Sequence, residues 1–216
     1  MIKACIFDLD GVIVDTAKYH FQAWRRMANE LGFDFTEKEN EQLKGVSRMD
    51  SINLILGWGG IALSEKDKVK WATKKNDWYV AAVDQMTPAE ILPGVLPLLK
   101  DLRQKGYKIG LGSSSKNAVR ALRKVRILSY FNTVIDGTKT TRSKPDPQVF
   151  QMGAKRLRLT PKECIVFEDA QSGVEAALAG GFYAVGMGSP QHLKKAHLVL
   201  SSLENITIES IIESIM

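Results

Sequence analysis

The chain has 216 residues, 44% of them hydrophobic, 25% charged and 8% aromatic, and its 30 Lys+Arg against 24 Asp+Glu give a net charge of +6. These fractions are those of an ordinary globular protein, so they exclude a disordered, a collagen-like and a coiled-coil chain. At ~150 residues per domain the length corresponds to about 1.4 domains, which indicates one domain, or one that carries a sizeable insertion.

The first predicted elements are a short strand and then a run of helices. Residues 2–9 are mostly apolar and end in Asp-Leu-Asp-Gly, a pattern that predicts a strand running into a loop. Apolar residues at helical spacing, with glycines as stops, then predict helices at 17–31, 36–43, 47–56 and 64–83. No strand pattern occurs between residues 17 and 85, so this stretch is predicted to be a helical block.

From residue 93 onward, strand and helix patterns alternate. Strands are predicted at 108–112, 134–135, 163–167, 183–185 and 198–200, and helices at 95–104, 117–124, 147–158, 173–179 and 207–216. Such alternation is typical of a parallel α/β sheet, as in a doubly wound fold. The first strand belongs with this part, so we expect the helical block to be inserted into the α/β domain after that strand.

Polar residues follow several of the predicted strands. In chain order they are Asp8 and Asp10, residues 113–117, Lys144, and Glu168 with Asp169. In open α/β sheets, ligands bind outside the carboxyl ends of the strands. Four acids, a lysine and a helix N-terminus are therefore predicted to converge on one edge of the sheet.

This set of residues suits phosphoryl transfer. Residues i and i+2 of an extended segment project to one side, so Asp8 and Asp10 can face the same substrate atom. Neighbouring carboxylates repel unless a hard dication lies between them, and Mg²⁺ with oxygen ligands from Asp8, Asp169 and Glu168 would relieve that conflict. Asp8 is predicted to attack phosphorus and form an aspartyl phosphate, and Asp10 to exchange a proton with the sugar or alcohol oxygen.

Two further groups complete the predicted phosphate site. The hydroxyl and backbone N–H groups at Ser113 suit a phosphate at a helix N-terminus. Lys144 places a compact positive charge beside the oxygens of the transferring phosphoryl group.

Four short segments, taken in chain order, resemble the motifs of a known superfamily. Residues 8–12 (DLDGV), Ser113, Lys144-Pro145 and Glu168-Asp169 are similar to the four motifs of the haloacid-dehalogenase superfamily of phosphotransferases. The resemblance implies a Rossmann-like parallel-sheet core at 1–15 and 88–216 and an all-helical mobile cap at 16–87. It also implies one Mg²⁺ per chain, held by Asp8, Glu168, Asp169 and the backbone carbonyl of Asp10.

Further segments narrow the resemblance to one family of sugar-phosphate isomerases. Residues 15–21 (DTAKYHF), 43–48 (LKGVSR), 75–77 (KND) and 115–117 (SKN) resemble those of the β-phosphoglucomutases. That family interconverts β-D-glucose 1-phosphate and β-D-glucose 6-phosphate through β-glucose 1,6-bisphosphate, which is both activator and intermediate. The resemblance therefore implies a transiently phosphorylated monomer that acts on a small sugar phosphate.

The same resemblance assigns roles to individual residues. Thr16 and His20 would help to place Asp10, so that acid–base catalysis starts when the cap closes. The substrate would be bound by Lys44, Gly45, Val46, Ser47, Arg48, Lys75, Ser115, Lys116 and Asn117. A mutase needs this second phosphate pocket because its bisphosphate must turn over in the site, and the planar donor fork of Arg48 suits such a phosphate. A cap that closes with Arg48 and Lys75 over the core would also exclude water from the phospho-aspartate.

Two other functions stay open at this point. A metal-dependent sugar-phosphate phosphatase on the same scaffold would use Asp8 and Asp10 identically and let water take the phosphoryl group. The +6 charge is also compatible with nucleic acid. The basic residues are dispersed among acids without an aromatic-interleaved patch, so we expect no nucleic-acid partner.

Several other residues are predicted to have structural roles only. Trp24, Trp71 and Trp78 lie at helical positions and are expected in the core of the cap. Cys5 and Cys164 lie in apolar runs and are expected as buried free thiols. No segment approaches ~18 consecutive apolar residues and no secretory signal is recognisable, so we expect a cytoplasmic protein without a membrane span.

Overall fold

A six-stranded parallel sheet lies at the centre of the computed structural model, which covers residues 1–216. The strands are β1 (Ala4–Phe7), β2 (Lys108–Gly112), β3 (Thr133–Ile135), β4 (Cys164–Glu168), β5 (Tyr183–Met187) and β6 (Leu198–Leu200). Their order across the sheet is β3-β2-β1-β4-β5-β6, and every neighbouring pair is parallel. The chain progresses outward in opposite directions from β1 and β4, and the crevice at such a switch point is where doubly wound sheets bind ligands.

Nine α-helices connect and cover the strands. They are α1 (Ala17–Glu30), α2 (Glu37–Glu41), α3 (Arg48–Trp58), α4 (Glu65–Val83), α5 (Val95–Gln104), α6 (Ala118–Lys124), α7 (Gln148–Leu157), α8 (Gln171–Ala179) and α9 (Ile208–Ile215). The first four lie in sequence between β1 and β2, as the helical block was predicted to do. The predicted parallel α/β sheet with an inserted helical segment is therefore confirmed.

The predicted and the observed helices and strands differ mainly in where they begin and end. The helices predicted to start at 36, 47 and 64 begin one residue later, because Thr36, Ser47 and Ser64 are N-cap residues. Each of these side chains accepts a hydrogen bond from a backbone N–H of the first turn. The first strand was predicted over 2–9 and spans only 4–7, where both β2 and β4 pair with it.

Alternate residues of the central strands pack into two separate hydrophobic clusters. Cys5 and Phe7 pack into one cluster and Ala4 and Ile6 into the other, as the two faces of a strand require. A third cluster is built from residues of the inserted segment alone, among them Trp24, Met27, Phe35, Ile52, Ile55 and Ala72. This third cluster supports the division that we propose, a core of residues 1–15 and 88–216 and a cap of residues 16–87.

Both cysteines are free and buried. Burial raises the pKa of the Cys5 thiol, and it raises the pKa of Cys164 to about 12. These thiols therefore act as small apolar side chains within the sheet, as predicted. None of the helices has the length and apolar character that crossing a bilayer requires.

Gly94 offers a test of how the end of the chain packs on the core. Gly94 caps α5 with a φ of +79°, and a Cβ there would overlap the backbone of Leu203 and Glu204. Gly106 has the same φ of +79° but nothing within 4 Å of such a Cβ. We expect Gly94→Ala to lower the free energy of unfolding by about 3 kcal/mol, because backbone strain and steric overlap add.

The matched variant Gly106→Ala suffers the backbone strain alone and should lose about 1 kcal/mol. Urea unfolding followed by circular dichroism measures both values. Equal losses in the two variants would show that the contact with residues 203–204 adds nothing.

Candidate active site

The predicted acids meet where β1 and β4 end side by side. Asp8 follows β1, Glu168 is the last residue of β4, and Asp169 comes next. All three side chains are buried or nearly so, at 8%, 1% and 11% exposed. Taking carboxylates out of water raises their free energy unless positive charge or hydrogen bonds compensate. The fold must therefore supply positive charge or hydrogen bonds at this edge of the sheet.

Lys144 supplies most of the positive charge. Its Nζ lies 2.6 Å from Asp8 Oδ1 and also forms an ion pair with Glu168 Oε1. Burial disfavours the charged ammonium, but the carboxylates of Asp8 and Glu168 outweigh burial and raise the pKa of Lys144. Lys144 is therefore a permanent positive charge beside Asp8, where a phosphoryl group would approach.

The loop after β1 orients the two aspartates differently. Asp8 Oδ2 accepts a hydrogen bond from the backbone N–H of Asp10 at 3.1 Å, which directs the Asp8 carboxylate toward this loop. The Asp10 carboxyl turns to Thr16, whose hydroxyl donates to Asp10 Oδ1. Burial, and after it the charge of Asp8, raises the pKa of Asp10 well above its usual range. Asp10 is thus the carboxyl that is suited to carry a proton.

His20 lies close by but contacts a different partner. Its Nδ1 is 2.9 Å from the Nζ of Lys75, and its ring stacks on Tyr79 with centroids 4.0 Å apart. Burial, then the charge of Lys75, lowers the pKa of His20 well below its usual range. Of the two residues expected to place Asp10, only Thr16 contacts it here.

Helices α3 and α4 bring cationic side chains to the other wall of the same cavity. Arg48 Nη2 donates to Asn76 Oδ1 at 2.6 Å, and Asn117 Nδ2 donates to the same oxygen at 3.0 Å. The side chain of Lys75 is buried, and burial, followed by the charge of Arg48, lowers its pKa well below the usual range. An anionic ligand beside Lys75 would oppose both effects and favour its charged form.

All nine predicted substrate-binding residues line this cavity. They are Lys44, Gly45, Val46, Ser47, Arg48, Lys75, Ser115, Lys116 and Asn117. Asp8, Asp10, His20, Glu168 and Asp169 line the same space. Ser113 lies just beneath, fully buried, where its Oγ accepts from the backbone N–H of Ser115 at 3.1 Å. The hydroxyl of Ser47 is already engaged, because it caps α3 and donates to Asp50 Oδ2 at 2.6 Å.

Two hydrogen bonds join residues 44–48, which form one wall of the cavity, to the loops of the α/β core. The hydroxyl of Ser114 donates to the carbonyl oxygen of Gly45 at 3.3 Å, and that of Ser172 donates to the carbonyl oxygen of Lys44 at 3.4 Å. In addition, the Nζ of Lys44 lies 3.3 Å from Asp169 Oδ2. The cavity is therefore closed at this side by two hydrogen bonds and one ion pair.

Sequence reasoning missed several lining residues. Trp24 was expected only in the cap core; it is buried there, but it also lines the cavity, with its ring 4.2 Å from the Nζ of Lys75. Asn76 bridges Arg48 and Asn117, and its place beside Lys75 in a matched segment was a usable signal. Residues 140–143 also line the cavity, and nothing in their sequence (TTRS) indicated it.

Comparison with known proteins agrees with this geometry. The family model of haloacid dehalogenase-like hydrolases matches residues 2–181. The chain belongs to the haloacid dehalogenase-like hydrolase family. Its Asp8, Lys144 and Asp169 therefore stand at the sheet edge that carries this family's motifs, and the superfamily resemblance is confirmed.

Individual relatives of this haloacid dehalogenase-like chain are named as sugar-phosphate enzymes. It is 40% identical to a β-phosphoglucomutase of Bacillus subtilis, over 96% of this chain and 93% of the relative. A solved β-phosphoglucomutase structure from Clostridium difficile matches with a TM-score of 0.95 and 44% identity, and covers 100% of this chain and 97% of that one. A phosphorylated carbohydrates phosphatase of Thermotoga maritima is 32% identical, over 83% of this chain and 82% of the relative.

The donor atoms of this haloacid dehalogenase-like site suit Mg²⁺. No three acidic, histidine or cysteine side chains converge on a common point, and Lys144 lies between Asp8 and Glu168. Mg²⁺ needs fewer, since one or two carboxylates with waters and phosphate oxygens complete its octahedron. Asp8 and Asp169 supply two carboxylates, and burial, opposed by Lys44 and assisted by the charge of Asp8, raises the pKa of Asp169 to about 6.

The carboxylate of Glu168 has contacts like those of Asp8. Its Oε1 is paired with Lys144, and its Oε2 accepts from the backbone N–H of Ala170 at 2.8 Å. Burial, with Lys144 opposing and Asp8 adding, raises the pKa of Glu168 to about 8. Asp8 likewise pairs with Lys144 and accepts from a backbone N–H, so these contacts do not separate the two as ligands, and the role of Glu168 at the metal stays a prediction.

The buried ion pair of Lys144 should contribute far more to stability than an exposed one. We expect Lys144→Met to lower the free energy of unfolding by about 3 kcal/mol, because it leaves two buried carboxylates without their cation. Lys3 forms an ion pair of the same 2.6 Å length with Glu163, but on the surface. Lys3→Met should therefore leave the free energy of unfolding nearly unchanged.

Chemical denaturation at pH 8 in EDTA measures both variants without help from a bound cation. Similar losses for Lys144→Met and Lys3→Met would contradict the central role given to the buried pair.

Proposed function

We propose that the protein is a β-phosphoglucomutase, an isomerase that interconverts β-D-glucose 1-phosphate and β-D-glucose 6-phosphate through an aspartyl phosphate and β-glucose 1,6-bisphosphate. The observation that carries the proposal is one cavity with two sets of phosphate-handling groups. Asp8 and Asp10 line it, and so do Arg48, Lys116 and Asn117. A hydrolase needs only the first set, whereas a bisphosphate that turns over also needs groups that bind the phosphate that is not reacting. The named relatives at 40% and 44% identity support the same activity.

Phosphoryl transfer starts at Asp8. With the phosphoryl group on Asp8, a hydroxyl oxygen of the sugar monophosphate attacks phosphorus, the bond from phosphorus to Asp8 breaks, and Asp10 accepts the hydroxyl proton. The bisphosphate then turns over and presents its other phosphate. Asp8 attacks that phosphorus, the bond to the sugar oxygen breaks, and Asp10 returns the proton to that oxygen. The raised pKa of Asp10 suits a group that must hold the proton between the two steps.

The transferring phosphoryl group would be bound by Lys144 and by the loop that starts at Ser113. The Nζ of Lys144 is already 2.6 Å from Asp8 Oδ1, so it lies beside any phosphoryl oxygen on that carboxylate. We propose that Asp8, Glu168, Asp169 and the backbone carbonyl of Asp10 hold one Mg²⁺. When bound, this ion offsets the charge that gathers on the phosphoryl oxygens.

The non-reacting phosphate would be bound by Arg48, Lys116 and Asn117. Asn76 already holds Arg48 and Asn117 together, so one amide oxygen positions donors from both walls of the cavity. Closure of the cap then brings Lys75 over the sugar and excludes water from the phospho-aspartate. Because a single chain supplies the whole site, we propose a monomer. Its phosphorylated substrate and its two free cysteines suit the cytoplasm.

A coupled assay tests the proposed function. β-Glucose 1-phosphate with a trace of β-glucose 1,6-bisphosphate and Mg²⁺ should give glucose 6-phosphate, measured with glucose-6-phosphate dehydrogenase. The α-anomer should not react, and EDTA should abolish turnover because the charge at Asp8 and Asp169 is then not offset. Release of inorganic phosphate without glucose 6-phosphate would overturn the proposal.

Release of inorganic phosphate without glucose 6-phosphate would indicate a second candidate function, a sugar-phosphate phosphatase. One of the reported relatives, at 32% identity, is named as such an enzyme. The chemistry at Asp8 would be the same, with water as the acceptor. The buried Lys75, which has no carboxylate partner, and the bridged pair Arg48–Asn117 favour the mutase, because hydrolysis of a monophosphate does not require them.

Asp10→Asn separates the acid–base role from the nucleophile. We expect this variant to lose at least about 100-fold in mutase kcat, since the amide cannot exchange a proton with the sugar oxygen. Phosphorylation of Asp8 by acetyl phosphate should persist, because that leaving group needs no proton. Asp8→Asn should abolish the phosphoenzyme altogether, as detected by intact-protein mass spectrometry.

The surface variant Asp34→Asn makes the same chemical change far from the site and should keep wild-type kcat. Its carboxylate pairs with Arg25 and is 59% exposed. Mutase turnover near the wild-type rate in Asp10→Asn would remove Asp10 from the mechanism.

A further inference from the structure

Gly45 lies where the inserted helical segment meets the loops of the α/β core. It has a left-handed φ of +75°, and a Cβ built on it would lie 3.6 Å from Ala170 Cβ and 3.8 Å from Lys144 Cδ. The same Cβ would overlap Ser172 Oγ, so glycine suits both the backbone angle and the close approach. The main chain at Gly45 therefore rests directly on the core loops that carry the candidate active site.

Two serine hydroxyls contact successive carbonyl groups at this point. Ser114, which follows β2, donates to the carbonyl oxygen of Gly45 at 3.3 Å. Ser172, at the start of α8, donates to the carbonyl oxygen of Lys44 at 3.4 Å. Both bonds are long, and each joins residues that are far apart in the sequence. Together they attach one peptide segment of the cap to two different loops of the core.

The two carbonyl groups have no other donor within the protein. No backbone N–H donates to the carbonyl oxygen of Lys44 or of Gly45, because the turn that they form belongs to neither α2 nor α3. Main-chain carbonyls that leave regular structure are normally satisfied by side chains or by water. Ser114 and Ser172 are thus the groups by which the core holds this turn of the cap.

Neither serine has a part in the proposed chemistry. Ser172 does not line the cavity, so its hydroxyl acts on the cavity only through the main chain at Lys44. It does not cap a helix either, since Ala170 is the N-cap residue of α8. Ser114 lines the cavity, but its hydroxyl hydrogen is directed to the Gly45 carbonyl. The feature that the two hydroxyls share is the segment they contact.

We propose that Ser114 and Ser172 are positioning residues that fix the main chain at Lys44 and Gly45 and thereby hold the segment 44–48 over the cavity. The proposal rests on the proposed function, which assigns substrate contacts to this segment. Arg48 begins α3 three residues after Gly45, so a shift of the turn would displace its guanidinium. A segment that is already held at two carbonyls loses less conformational freedom when the substrate binds.

The variants Ser114→Ala and Ser172→Ala test this role in the mutase assay. Each removes one long hydrogen bond, so KM for β-glucose 1-phosphate should rise about three-fold in each and about ten-fold in the double variant. Mutase kcat should stay within about two-fold, because the segment is ordered when the substrate binds and not in the chemical step. A fall in kcat at unchanged KM, or no change in either, would overturn the proposal.

Ser172→Ala should have the opposite effect in a Gly45→Ala background. Gly45→Ala strains the positive φ and brings a Cβ against Ser172 Oγ, so KM should rise about ten-fold. Adding Ser172→Ala removes the overlapped atom and should lower KM again by about three-fold. A general loss of structure would instead raise KM further. An effect of Ser172→Ala in the same direction in both backgrounds would overturn the proposal.

Ser214→Ala is the matched control. Its hydroxyl also donates to a main-chain carbonyl oxygen, that of Ser210 at 2.8 Å, but within α9. This variant should keep the wild-type KM and kcat. A rise in KM as large as that of Ser172→Ala would show that the loss of any such hydrogen bond has this effect, and would overturn the proposal.

Amide hydrogen exchange tests the positioning without an assay of turnover. In the double variant, exchange across residues 43–48 should be about ten-fold faster than in the wild type, whereas exchange across β1 should not change. Equal exchange at residues 43–48 in the two proteins would overturn the proposal. If the wild type releases phosphate and forms no glucose 6-phosphate, the mutase assignment is wrong, and hydrogen exchange still decides the role of the two serines.

Discussion

The ammonium of Lys144, buried between Asp8 and Glu168, is the interaction on which the site depends. A parallel sheet that reverses its order between β1 and β4 must leave a crevice at their carboxyl ends. The chain fills that crevice with carboxylates, which repel one another and which burial alone would protonate. Lys144 keeps Asp8 paired without covering it, so the fold holds a nucleophile in place and a positive charge beside the path of the phosphoryl group.

The cavity is lined by charges of both signs. The acids that follow β1 and β4 line it, and so do Arg48 and the buried Lys75, which has no carboxylate partner. A ligand that satisfies both must be anionic where it meets the cations and must bring a cation with it to the carboxylates. A sugar carrying phosphates, with Mg²⁺, meets both conditions.

Much of the fold and part of the site follow from local sequence. The N-caps Thr36, Ser47 and Ser64 mark helix starts to within one residue, because capping is a contact between residues three apart. Asp8 and Glu168 were placed together because parallel strands end at one edge. The partners of His20 and Glu168 were not predictable in this way. His20 contacts Lys75, 55 residues away, and Glu168 contacts Lys144, 24 residues away, so both depend on how helices and loops pack.

Three properties follow from local sequence alone: the order of the elements, the edge of the sheet that carries the acids, and the family whose motifs they form. These properties arise from periodicity, capping and short motifs, which act over a few residues. Tertiary packing is what makes Trp24 line the cavity, joins Arg48 to Asn117 through Asn76, and buries the hydroxyl of Tyr79 without a hydrogen-bond partner. These contacts form between side chains from distant segments when the inserted helices pack on the sheet. Local periodicity carries no information about contacts between distant segments.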